Sequence, residues 1–95
     1  MHKVGLSFRS TLSPDEVRTK YINPLRVVLR REKAGIYSNH LRQVDPQSLE
    51  TTEHLLVFEV HDFEKSLRIL RVELNSIGTP EGAQFHNLDP SQPTY

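Results

Sequence analysis

The chain has 95 residues, 36% hydrophobic and 25% charged, which fits one domain with a single core and is too apolar for a disordered segment. It holds no cysteine, so disulfide frameworks, thiolate metal sites and thiol nucleophiles are excluded. Formal net charge is zero, and the longest fully apolar run, Leu55-Leu56-Val57-Phe58, is far below the roughly 20 residues that span a bilayer.

Residues 2–8 read as the first strand. Val4, Leu6 and Phe8 point to one side and Lys3, Gly5, Ser7 and Arg9 to the other, the period of a half-buried strand. A turn follows at Ser10-Thr11-Leu12. Ser13-Pro14-Asp15-Glu16 then signals a helix start: Ser13 caps, Pro14 suits the first helical position, and Glu16 completes a capping box. Val17, Tyr21, Leu25, Val28 and Leu29 continue at helical spacing. Pro24 interrupts this stretch, so the sequence predicts a kink or break there, or a second helix capped by Asn23-Pro24. Arg30, Arg31 and Lys33 crowd the last turn, and Gly35 is the expected C-terminal cap.

Residues 36–44 are polar on both sides, as suits an edge strand, and Asp45-Pro46 ends them. Residues 54–60 form the most apolar strand and are expected at the centre of the sheet. Asp62 caps a second helix whose Phe63, Leu67, Leu70, Leu74 and Ile77 make one apolar stripe, closed by Gly78. A turn over Thr79-Pro80-Glu81-Gly82 leads to a short last strand over residues 83–88.

The order strand, helix, strand, strand, helix, strand resembles the general ferredoxin-like fold. The expected class is therefore α+β: a βαββαβ sandwich with a four-stranded antiparallel sheet and two helices on one face. Residues 1–88 are expected to form this single domain and residues 89–95 a flexible C-terminal tail. Without a signal peptide at the N-terminus, the expected location is cytoplasmic.

Few residues form a pattern that carries chemistry. His2 and His54, read as the starts of adjacent parallel strands, and His86, near the end of the last strand, suggest a three-imidazole metal site, but no HxH or HxxxH spacing supports it. His61-Asp62 resembles an orienting pair for acid/base work with Glu59 or Glu64, yet helix capping already explains Asp62. Ser7, Ser10 and Ser13 lack a nucleophile elbow, and Gly5, Gly35, Gly78 and Gly82 are too far apart for a phosphate loop. Residues 4–9, with Phe8-Arg9 before a helix, are similar to acylphosphatases, which hold a phosphate with an arginine near the first strand. The glycine loop that cradles the phosphate there is absent here. No catalytic residue, cofactor or metal is expected.

Charge is unevenly divided along the chain. Residues 1–44 hold nine Lys/Arg and three Asp/Glu, a net of +6, and residues 45–95 hold three and nine, a net of −6. The expectation is a non-catalytic interaction or regulatory module that binds itself or another protein. Tyr37, Leu41 and Leu56, with Lys3 and Arg9, are expected on the sheet face that no helix covers. The alternative is nucleic-acid binding by Arg26, Arg30 and Arg31, although the ribonucleoprotein aromatic signature is missing. A small hydrolase or metal-dependent enzyme around His61 or His86 is a further alternative. No membrane partner is expected.

Overall fold

The computed structural model describes residues 1–44 and 51–88. The expected turn at Asp45-Pro46 and the expected C-terminal tail lie outside those residues. The elements are β1 (His2–Ser10), α1 (Pro14–Val17), a π-helical turn (Arg18–Ile22), α2 (Asn23–Arg31), β2 (Gly35–Val44), β3 (Thr52–Val60), α3 (Phe63–Ile77) and β4 (Gln84–Asn87). The four strands make one sheet in the order β2-β3-β1-β4, with every neighbouring pair antiparallel. The class is α+β, with the helical stretches packed on one face of the sheet. No helix among the described residues is long and apolar enough to cross a membrane.

The core lies between the sheet and the helices. Val4, Leu6 and Phe8 from β1 and Leu56, Phe58 and Val60 from β3 meet Val17, Tyr21, Ile22, Leu25 and Leu29, and Leu70 and Leu74 from α3. Each such side chain contributes about 1.5–3 kcal/mol by leaving water. The central strands are thus the two with the most regular apolar alternation.

The first helix starts as its sequence dictates. Ser13 Oγ accepts from the Glu16 backbone N–H at 3.2 Å, and a Glu16 carboxylate oxygen accepts from the Ser13 N–H at 3.0 Å. Pro24 neither breaks nor caps this stretch. Val17, Ile22 and Asn23 all keep right-handed helical dihedrals, and Asn23 N–H donates to the Arg18 carbonyl five residues back. The wider turn before the proline accommodates its ring without ending the helix.

The helix terminus differs from expectation in a specific way. Lys33, not Gly35, takes the left-handed conformation, at φ 53°. Ala34 N–H donates to the Leu29 carbonyl and Lys33 N–H to the Arg30 carbonyl, the bonds of a Schellman cap. Gly35 instead opens β2, where a Cβ would stand 2.3 Å from the Glu59 carbonyl oxygen. Close approach of two strands, not turn geometry, requires this glycine.

β2 carries a bulge at Ser38. Tyr37 pairs with Phe58, and the next paired residue is Asn39, opposite Val57. One extra residue reverses which side chains face the helices beyond that point.

Candidate functional site

The uncovered face of the sheet is built by residue parity. β1 presents Lys3, Gly5, Ser7 and Arg9, and β3 presents Glu53, Leu55, Val57 and Glu59 beside them. Leu41 and Gln43 of β2 lie opposite Leu55 and Glu53, and Ile36 lies opposite Glu59. Ile36 and Leu41 are about half exposed, at 50% and 49%. The middle of the face is apolar, through Leu41, Leu55 and Val57. Each end carries a cross-strand neighbour pair of opposite charge, Lys3 with Glu59 and Arg9 with Glu53.

Leu88 closes over the face beside Leu55. A Cβ on Gly5 would stand 2.8 Å from a Leu88 methyl and 2.9 Å from a Leu55 methyl, so Gly5 leaves the space both side chains use. Next to them is an open depression of about 490 Å³ whose lining includes Ser7, Leu41, Gln43, Leu55 and His86. Ser7 Oγ and His86 Nε2 are 2.7 Å apart. A nucleophilic serine needs its base oriented by a third group. Among the described residues no carboxylate hydrogen-bonds the His86 ring, so the pair is a cross-strand hydrogen bond without that machinery.

On the helix side of β2, two imidazoles meet. His40 Nε2 lies 3.0 Å from His54 Nδ1. His54 is 1% exposed and stacks on Phe8 with ring centroids 5.2 Å apart. Its Nε2 has no hydrogen-bond partner among the described residues. Burial holds the His54 ring below the usual histidine range, helped by His40 and Arg42. Burial likewise lowers His40, with Arg42 and Arg18 adding to it. Tyr37 packs edge-on against Phe58 at 5.9 Å. Its hydroxyl is pushed up by burial, against the opposing pull of Arg18 and Arg26.

The expected open-face residues divide accordingly. Leu41, Lys3 and Arg9 lie on the uncovered face. Leu56 does not: it is wholly buried between Leu6 and His40, beneath the helices. Tyr37 is also on the helix side, because it precedes the bulge and Leu41 follows it. Arg26, Arg30 and Arg31 are all exposed on α2.

The three-histidine arrangement is overturned by strand direction. β1 and β3 are antiparallel, so His2, opposite Val60, and His54, opposite Phe8, lie at opposite ends. Among the described residues no group of three or more His, Asp or Glu is placed to hold a metal. His61 is exposed, and Asp62 accepts from the Lys65 N–H at 3.0 Å as the cap of α3. The Ser7–His86 and His40–His54 contacts were not visible in sequence, because both depend on register across strands distant in the chain.

No protein-family model matches this chain, and no curated protein sequence matches it either.

Proposed function

We propose that this is a ferredoxin-like, non-catalytic interaction module that pairs with a second copy of itself through the uncovered sheet face. The element order and the sheet order β2-β3-β1-β4 support the fold assignment. A role in the cytoplasm agrees with a chain that has no cysteine.

The observation that carries the pairing is the charge pattern of the face. Cations stand on β1 (Lys3, Arg9), and anions stand at the matching positions of β3 (Glu53, Glu59). A two-fold axis running along the strands, midway between β1 and β3, lays each β1 over its partner's β3. Lys3 then meets Glu59, Arg9 meets Glu53, and the apolar centre is enclosed between them. A two-fold across the strands would instead stack like charges on like. Packed sheets lie about 10 Å apart with strands nearly aligned, a distance that long charged side chains bridge at the rim. Closed two-fold pairing of one patch with itself is the commonest oligomer geometry.

Sedimentation velocity tests this reading. The chain is expected to sediment as a dimer, and Leu41→Glu to sediment as a folded monomer. If Leu41→Glu self-associates as the parent does, pairing does not use this face.

A second reading, phosphate contact by Arg26, Arg30 and Arg31, is favoured by their joint exposure on α2. It predicts a salt-sensitive mobility shift of an oligonucleotide.

A further inference from the structure

The unpaired edge of β2 is a second surface, which shares Ile36 and Leu41 with the uncovered face. β2 ends the sheet and is ten residues long, whereas the opposite edge, β4, has four. An edge strand offers a row of backbone donors and acceptors to any extended chain that fits beside it. What fits is decided by the side chains on either side of that row.

On one side stand Ile36 and Leu41, two of the large apolar side chains left half exposed. On the other side stand Tyr37, His40 and Arg42, which pair with Phe58, Leu56 and His54. The charged groups that act most strongly on Tyr37 are Arg18 and Arg26, and those on His40 are Arg42 and Arg18. The helix side of this edge is therefore cationic, built from three elements of the fold. Among the described residues, the β3 carboxylates Glu53 and Glu59 lie opposite Gln43 and Ile36 on the other face.

We propose that the β2 edge takes up an extended acidic segment of another protein by strand addition. The added strand would alternate apolar residues, lying beside Ile36 and Leu41, with Asp or Glu facing Arg18, Arg26 and Arg42. Period-two alternation on a strand sends successive side chains to exactly these two environments. A second copy of this chain is a poor occupant, because joining two β2 edges would bring both arginine sets together. The Ser38 bulge lies between Ile36 and Leu41, so a segment that reaches both pairs with β2 on either side of a one-residue break.

The test uses the full chain and a fluorescent Val-Glu-Val-Glu-Val-Glu peptide, read by anisotropy. Binding that weakens with salt is expected, with no binding of the Val-Lys counterpart. Arg42→Glu should weaken it about tenfold, the loss of one exposed attraction and gain of a like repulsion, and Arg18→Glu with Arg26→Glu, which reverses two charges, should weaken it further. These arginines lie off the uncovered face, so the same variants should keep the parent's sedimentation behaviour. Peptide binding should also slow amide exchange along residues 36–43, and a peptide N-methylated at alternate positions should fail to bind. Equal binding of the N-methylated or lysine peptide would overturn strand addition. So would binding of an oligonucleotide by these arginines while the peptide fails.

Discussion

His40 Nε2 and His54 Nδ1, 3.0 Å apart, tie the edge strand β2 to the buried face of β3. One ring must donate and the other accept, so the bond survives only while at least one ring is neutral. Both rings sit below the ordinary histidine value of 6.5 in the folded chain, mainly through burial, with Arg42 beside both and Arg18 beside His40. The unfolded chain then takes up protons first as pH falls. Stability is full above about pH 6.5 and declines progressively below it. Urea unfolding at pH 7.5 and pH 5 should show a lower midpoint at the acid value. His54→Leu should flatten that difference, because it removes both the titrating ring and its orphaned Nε2. An unchanged midpoint between the two pH values would contradict the depressed titration.

The Ser38 bulge sets which β2 side chains reach the core. Inserting one alanine between Asn39 and His40, past the bulge, would turn Leu41 and Gln43 toward the helices and take His40 away from His54. The expected cost is about 2–4 kcal/mol, the range for breaking a buried polar contact and mispacking a strand. Circular dichroism during urea unfolding measures it, and the acid sensitivity should diminish in the same variant.

Two backbone positions give opposite outcomes. Gly35→Ala forces a Cβ against the Glu59 carbonyl, and neither strand backbone gives way cheaply. A loss of about 2–3 kcal/mol is expected, a fall of roughly 10 °C or more in melting temperature. Lys33→Gly relieves a left-handed conformation at φ 53° and should raise stability by about 0.5–1 kcal/mol. Paired thermal melts read both.

Leu41 and Leu56 separate surface from core. Leu56→Glu buries an unpaired carboxylate where no solvent reaches and should abolish folding. Leu41→Glu places the same group at a half-exposed position and should leave the far-ultraviolet circular dichroism spectrum intact.

Much of the fold was legible because its signals are local. The Ser13–Glu16 box, the Asp62 cap and the stripe from Phe63 to Ile77 each lie within a few residues, and the β1 and β3 alternation marks both as central. Pro24 was legible as a disturbance but not as a π-helical turn, since the same clash can be relieved by bending, ending or widening a helix. The surface was harder to read. Tyr37 and Leu41 share parity in sequence and lie on different faces, because a bulge leaves no composition signature at Ser38. His2 and His54 looked adjacent only under parallel pairing. Ser7 with His86 and His40 with His54 are set by register between strands 79 and 14 residues apart.

Pairing through the uncovered face is tested most directly by mixing two variants of complementary charge. Lys3→Glu with Arg9→Glu makes the face wholly acidic, and Glu53→Lys with Glu59→Lys makes it wholly basic. Each variant alone should sediment as a monomer, and an equimolar mixture should form a dimer more stable than the parent's. If the parent chain stays monomeric up to about 1 mM, a binding free energy weaker than about −4 kcal/mol, and the mixture does not associate, the face is not a self-pairing surface.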